Sequence, residues 1–202
     1  MIKNVVFDMG NVLINYAPEE FIQGYTTNTE HQKRLLDEIF YADLWQQFDR
    51  GTITKEELVE RASENLPEEL HSSVSDILDT WYEKMTPITE MEDILKRLKA
   101  NGYDLYLFSN VSQDFHKFKQ IIPGLGYFDG LFLSSDWKGL KPEKELYQKF
   151  FSHFDLDPSE CFFVDDLRVN IEGASALGMK GHVFDGNIDD LKNHFMQVGI
   201  VI

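Results

Sequence analysis

The sequence predicts an α/β fold in which a parallel sheet is flanked by helices and carries a helical insertion. Three observations predict it. Short apolar runs rich in β-branched and aromatic residues recur, as at Val5-Val6-Phe7 and Leu105-Tyr106-Leu107-Phe108, and such runs read as strands buried on both faces. From Pro87 onward these runs alternate with amphipathic segments, the pattern of a sheet covered by helices on both sides. From about Tyr16 to Met85 the alternation stops and helix signals take over. A Rossmann-like core domain is therefore expected over residues 1–15 and 87–202, with an α-helical cap domain over residues 16–86. A chain of 202 residues suits one domain with such an insertion.

Val5-Val6-Phe7 forms the first strand and ends abruptly in Asp8, where Gly10 lets the chain turn sharply. In the insertion, Leu35, Leu36, Ile39 and Phe40 fall at helical spacing within Thr29 to Tyr41. Leu44 to Asp49 reads as a short helix stopped by Gly51. Thr54-Lys55-Glu56-Glu57 is a capping box that starts a helix running to about Asn65. Pro67 breaks the pattern, and one longer helix is expected from about Glu68 to Met85. Beyond it, Ile88 to Asn101 is amphipathic and Gly102 ends it. Asp104 to Phe108 is the second strand, finishing at Ser109-Asn110, and a helix follows over Gln113 to Ile122. Gly130 to Ser134 is the third strand. Lys141-Pro142-Glu143 opens the next helix, with Pro142 in its first turn. Glu160 to Val164 is the fourth strand and ends at Asp165-Asp166. A helix over Asn170 to Leu177, a fifth strand over Lys180 to Phe184 and a last helix over Ile188 to Val198 complete the chain.

The charge narrows the partners. With 19 basic and 35 acidic residues the net charge is −16, which argues against nucleic acid or an anionic membrane, since both require basic patches. The single cysteine, Cys161, allows no intrachain disulfide and reads as a small core residue. Six histidines are scattered without ligand spacing, which argues against zinc. The N-terminus enters a strand at once without a signal-peptide pattern, and no apolar run is long enough to span a bilayer. A cytoplasmic protein is expected.

Three of the five strands end in polar groups of defined type: Asp8, Ser109-Asn110 and Asp165-Asp166. Neighbouring parallel strands lie about 5 Å apart, and ligands of open parallel sheets collect beyond the strands' C-terminal ends. These groups, with Lys141, can therefore meet in one crevice. Carboxylates from two strands make a hard, oxygen-rich site that suits Mg²⁺. A hydroxyl, backbone N–H groups and a lysine around it make a phosphate pocket. Asp8 could then attack phosphorus, a recognised mode of carboxylate catalysis. Each group also has a plain structural explanation: a helix cap for Ser109-Asn110, a solvated helix start for Lys141-Pro142, and a turn or helix-N-terminal acids for Asp8 and Asp165-Asp166. That explanation has to be repeated at every site-forming end of one sheet, which favours the chemical reading.

Phe7-Asp8-Met9-Gly10-Asn11-Val12 resembles the first motif of the haloacid dehalogenase-like (HAD) hydrolase superfamily. Leu107-Phe108-Ser109-Asn110 resembles its second motif and Gly139-Leu140-Lys141-Pro142 its third. Phe163-Val164-Asp165-Asp166 with Asn170-Ile171-Glu172-Gly173-Ala174 resembles the fourth. Order and spacing agree, the helical block falls where this family's α-helical cap is inserted, and Trp45 to Glu57 is similar to the cap of one subgroup. The resemblance implies a Mg²⁺-dependent phosphatase of small phosphorylated metabolites, monomeric or weakly dimeric. It implies Asp8 as nucleophile and metal ligand, the backbone carbonyl of Gly10 and Asp166 as further ligands, and Asp165 as a direct ligand or a support for one. Ser109, the Asn110 backbone and Lys141 would hold the phosphoryl group.

One departure matters. Most phosphatases of the family carry a second Asp two residues after the nucleophile as general acid and base, and here that position is Gly10. The Gly-Asn-Val that follows resembles a bacterial subgroup that includes α-D-glucose-1-phosphate phosphatase. A sugar's anomeric oxygen leaves more readily than an ordinary alkoxide and needs less acid assistance, so a sugar phosphate is the expected substrate. Acid catalysis could also come from a cap residue or from ordered water. Two alternatives stand beside this reading. A 2-haloacid dehalogenase-type hydrolase would also lack the second Asp, but it uses no metal, and the Asp165-Asp166 pair would be self-repelling without a cation. A non-catalytic phosphate-ligand-binding protein is favoured by Gly10 alone. In the cap, Tyr16, Trp45, Phe48, Asp49 and Arg50 are candidates to face the substrate, although Trp45 and Phe48 equally suit the cap core and Arg50 a helix-end cation.

Overall fold

The computed structural model describes residues 1–202. Its strands are β1 (Asn4–Phe7), β2 (Ile14–Asn15), β3 (Thr86–Pro87), β4 (Asp104–Ser109), β5 (Gly130–Leu133), β6 (Cys161–Asp165) and β7 (Lys180–Val183). Five of them form one parallel sheet in the order β5-β4-β1-β6-β7. Central β1 pairs with β4 on one side and β6 on the other, so that Phe7 is level with both Leu107 and Val164. The chain passes from one side of β1 to the other at this point, which opens a crevice beyond the strand ends.

Side chains alternate across a strand, and β1 divides accordingly. Val5 and Phe7 join one apolar cluster, and Val6 joins another on the opposite face with Phe108, Phe163 and Phe150. The first cluster continues into the helical block through Leu35, Leu58, Val74 and Trp81. That block consists of α1 (Pro18–Phe21), α2 (Thr29–Leu35), α3 (Asp43–Asp49), α4 (Lys55–Glu64) and α5 (His71–Thr80). The remaining helices are α6 (Glu90–Ala100), α7 (Phe115–Phe118), α8 (Ser134–Trp137), α9 (Lys144–Phe154), α10 (Arg168–Ser175) and α11 (Ile188–Gln197). None is long and apolar enough to cross a membrane.

The capping box forms as expected. The Glu57 N–H donates to Thr54 Oγ1, and the Thr54 N–H donates to the Glu57 carboxylate at 2.8 Å. The expected helix over Glu68–Met85 is instead α5 between two 3₁₀ turns, Glu68–Leu70 and Trp81–Lys84. The Thr80 hydroxyl donates to the Asp76 carbonyl at 2.8 Å, a back-bond that bends helices, and the Trp81 indole N–H turns inward to Asp114. The expected Gln113–Ile122 helix is reduced to α7 and a 3₁₀ turn, and the third strand stops at Leu133 because Ser134 opens α8. Pro142 does not lie in a helical turn. The helix begins at Lys144 after an extended Glu143, and Lys141 and Pro142 form a turn that the Glu143 N–H closes on the Leu140 carbonyl at 2.8 Å. The antiparallel pair β2–β3, unsigned in the sequence by its two-residue strands, closes the entry and exit of the helical block.

Candidate active site

β1, β4 and β6 present Asp8, Ser109 and Asp165 at one edge of the sheet. The Asp8 N–H donates to the Val164 carbonyl at 2.8 Å, so the ladder continues one residue beyond β1 and holds this acid in place. Lys141 enters from the loop before α9. Its ammonium donates to Asp8 Oδ1 at 2.8 Å, to Asp165 Oδ2 at 2.7 Å and to the Phe108 carbonyl at 2.9 Å. All three of its N–H groups are thereby engaged. The ring centroids of Phe163 and Phe108 lie 5.0 and 5.4 Å from the nitrogen, close enough for a cation–π contribution. Lys141 thus offers a phosphoryl group its charge before any free donor. Asn110 clamps the same loop: its Oδ1 accepts from the Lys141 N–H at 2.9 Å and its Nδ2 donates to the Lys141 carbonyl at 3.1 Å.

Asp165 is fully buried and saturated. Its oxygens accept from Lys141, from the Leu167 N–H at 2.8 Å and from Asn170 Nδ2 at 2.9 and 3.0 Å, which occupies about four acceptor positions, a carboxylate's capacity. Asp166 accepts only from Asn11 Nδ2, at 3.1 Å, on Oδ2. Asn11 sits at φ +53° and also accepts the Tyr16 N–H at 3.0 Å. Asn is among the few residues that tolerate this left-handed backbone. The sequence marks neither Asn11 nor Asn170 as a site residue. The signal for Asn11 was an Asn directly after Gly10 in a turn, and Asn170 carried only its place in the fourth motif.

The electrostatics favour a cation. Asp8, Asp165 and Asp166 each place a carboxylate oxygen within 4.8 Å of the others, against one buried ammonium. Burial, only partly offset by Lys141 and reinforced by Asp165, pushes the Asp8 carboxyl up to about 7. Burial and Asp165 raise Asp166 as well, against the hydrogen bond from Asn11. Burial alone would lower the Lys141 ammonium, but Asp165 and Asp8 hold it above its ordinary value. Clustered hard oxygens with excess negative charge fit Mg²⁺, and the unsaturated acids, Asp8 and Asp166, are those with room for it.

A cavity of about 320 Å³ opens above Asp8, Ser109, Asn110, Lys141 and Asp166. Tyr16, Trp45 and Asp49 of the helical block line it. Phe48 and Arg50 do not: Phe48 is buried in the apolar core, and Arg50 forms a two-pronged ion pair with Glu143. The C-terminal end of α3 is fastened beside the Lys141 loop by that pair, by Ser134 Oγ donating to the Asp49 carbonyl at 2.6 Å, and by Lys138 on the Gly51 carbonyl. In the sequence Ser134 marks only the end of a strand.

A parallel sheet that gathers buried acids and a lysine at its C-terminal edge is the architecture of an α/β enzyme. Residues 2–178 match the haloacid dehalogenase-like hydrolases, and the chain belongs to that family. It is 29% identical over 188 residues to a sesquiterpene phosphatase of Aspergillus oryzae, spanning 91% of this chain and 90% of the relative. It is 25% identical over 192 residues to a D-ribitol-5-phosphate phosphatase of Bacteroides thetaiotaomicron, spanning 89% of this chain and 90% of the relative. The fold is shared with a HAD family enzyme of Bacteroides thetaiotaomicron solved with magnesium and inorganic phosphate, at a TM-score of 0.73, 24% identity, and 95% and 99% coverage of the two chains.

Proposed function

We propose that this protein is a Mg²⁺-dependent phosphomonoester hydrolase of small phosphorylated metabolites, sugar phosphates among them, working through an aspartyl-phosphate on Asp8. The observation that carries the reading is the buried Lys141 ammonium bridging Asp8 and Asp165 beside the less engaged Asp166. Lys141 orients Asp8 through Oδ1, leaving the other oxygen to attack phosphorus. The O–P bond to the substrate's alcohol breaks, and water then cleaves the aspartyl-phosphate to release inorganic phosphate. Asp8, Asp166 and the Gly10 carbonyl would hold the metal, with Asp165 supporting them through Lys141. Bound Mg²⁺ would offset the charge of the phosphoryl oxygens and the acids. Ser109 and the Asn110 backbone would receive the phosphoryl group at the cavity floor.

Residues 16–86 serve as a cap domain over a core of residues 1–15 and 87–202. The reading is supported by the β2–β3 crossing at its two ends and by Tyr16, Trp45 and Asp49 in the cavity wall. A cytoplasmic monomer or weak dimer goes with this reading. Relatives acting on D-ribitol-5-phosphate and on ribulose-1,5-bisphosphate favour a sugar phosphate. The aromatic wall formed by Tyr16, Phe40, Trp45 and Trp81 favours a second reading, a phosphate ester of an apolar or aromatic group, and the sesquiterpene phosphatase is a relative of that kind.

Phosphate release from a panel of sugar, prenyl and aromatic phosphomonoesters tests both readings. Release that requires Mg²⁺, stops with chelator and is lost in Asp8→Asn is expected. Metal-independent halide release from 2-haloacids would instead establish the dehalogenase reading, and ligand binding without turnover the non-catalytic one.

A further inference from the structure

Breaking the ester bond leaves an alkoxide unless a proton meets it, and a positioned acid contributes typically 10²–10⁴-fold. Gly10 has no side chain to supply one. Tyr16 packs over that position, where an added Cβ would lie 3.7 Å from Tyr16 Cβ. Among the floor groups Asp8 is the nucleophile and Lys141 has every N–H engaged. We propose that Asp49, at the C-terminal end of α3, protonates the leaving group and then takes a proton from the water that hydrolyses the aspartyl-phosphate. This rests on the phosphatase reading above.

The geometry places Asp49 in the wall of the cavity that has Asp8, Ser109 and Lys141 in its floor. Its backbone is anchored to the core through Ser134, and its neighbours Arg50 and Gly51 are anchored through Glu143 and Lys138. A carboxyl from the helical block is thus held in register with the Lys141 loop. The Trp45 side chain and the Ser112 amide face it, and the charged groups around it are Asp8 from the end of β1 and Asp114 from the turn before α7, both acids. Burial raises its pKa well above the ordinary carboxylate value, against the Ser112 amide and the Trp45 side chain, which lower it, and with Asp8 and Asp114, which raise it further, so that it keeps a proton to give. Neighbouring Tyr16 is itself raised by burial and by Asp49, which leaves it the weaker acid of the two.

The step balances. As an Asp8 oxygen bonds to phosphorus, the bond from phosphorus to the ester oxygen breaks, its electron pair stays on that oxygen, and the Asp49 proton completes the alcohol. The Asp49 carboxylate then accepts a proton from water as the water oxygen bonds to phosphorus and the Asp8–phosphorus bond breaks. The sum is ester plus water to alcohol plus inorganic phosphate, with Asp49 protonated again.

The test compares wild type, Asp49→Asn and Asp49→Glu on phosphate esters graded from alkyl to 4-nitrophenyl leaving groups, with Mg²⁺ present. Asp49→Asn is expected to lower kcat/KM about 100-fold or more on alkyl esters and under about tenfold on 4-nitrophenyl phosphate, which needs no proton. It should also lose the basic limb of the pH profile and show a burst of 4-nitrophenol as the aspartyl-phosphate accumulates. Asp49→Glu should recover part of the alkyl activity. An equal fall on every ester, or no fall, overturns the inference while leaving the phosphatase reading intact. No phosphate release by wild type from any ester overturns both. If Asp49→Asn fails to fold, the wild-type series decides: a shallow dependence of kcat/KM on leaving-group acidity supports a proton donor, and a steep one excludes it.

Discussion

Lys141 is a single positive charge held among buried carboxylates, and its removal tests how far the site is an electrostatic unit. Lys141→Met leaves Asp8 and Asp165 without their shared partner. Removing one partner of a buried pair costs about 3–5 kcal/mol, so urea denaturation should show a loss of that order together with the loss of turnover. Asn11 separates two roles. Asn11→Gly keeps the left-handed turn and drops the side-chain contacts to Asp166 and to the Tyr16 N–H, so Mg²⁺ affinity should fall with only a small loss of stability. Asn11→Ala should lose affinity and also about 1–2 kcal/mol of stability, because an alanine resists φ +53°. Metal titration and denaturation on both variants check this. Asp8, Ser109 and Asp165 were legible in the sequence because each closes an apolar run. Asn110 was legible as a site residue, but its amide's grip on the Lys141 backbone was not, since that contact spans 31 positions.

Helix α4 shows a local rule at work. Thr54 and Glu57 satisfy each other's backbone N–H groups, and replacing a Thr cap by Ala typically costs about 1 kcal/mol. Thr54→Ala should lower the unfolding free energy measured by urea denaturation by about that amount and leave kcat unchanged. At the other end of the chain, His182 of β7 lies against His194 of α11, Nδ1 to Nδ1 at 2.9 Å, with its Nε2 buried and without a hydrogen-bond partner. Burial and then His194 lower its pKa below 6.5. The unfolded chain therefore binds the proton more readily, and the stability contributed is complete above about 6.5 and lost as pH falls below it. Denaturation of His182→Asn beside wild type should show the variant losing less stability between about pH 7 and 5. Helix α5 marks the limit of local rules. The run from Glu68 to Met85 carries an unbroken helical pattern, yet the Thr80 back-bond and the inward turn of Trp81 divide it.

Over the whole molecule the net charge of −16 opposes compaction, and the site concentrates part of that repulsion. Mg²⁺ that binds only the folded state should stabilise it by about 2.7 kcal/mol at 100 times its dissociation constant. Thermal unfolding at constant ionic strength should show this shift in wild type, its reversal by chelator and its absence in Asp166→Ala. The sequence by itself determined the parallel α/β fold, the helical insertion and which acids stand at the strand ends. It could do so because these follow from periodicity and from residue type at the close of an apolar run. Only the tertiary structure decided that Lys141 spends its donors on Asp8 and Asp165, that Asp49 and not Arg50 lines the cavity, and that Phe48 belongs to the core. Those outcomes depend on how the helical block seats against the sheet, through contacts such as Ser134 to Asp49 across 85 residues, and no local pattern encodes a distance in space between segments so far apart in the chain.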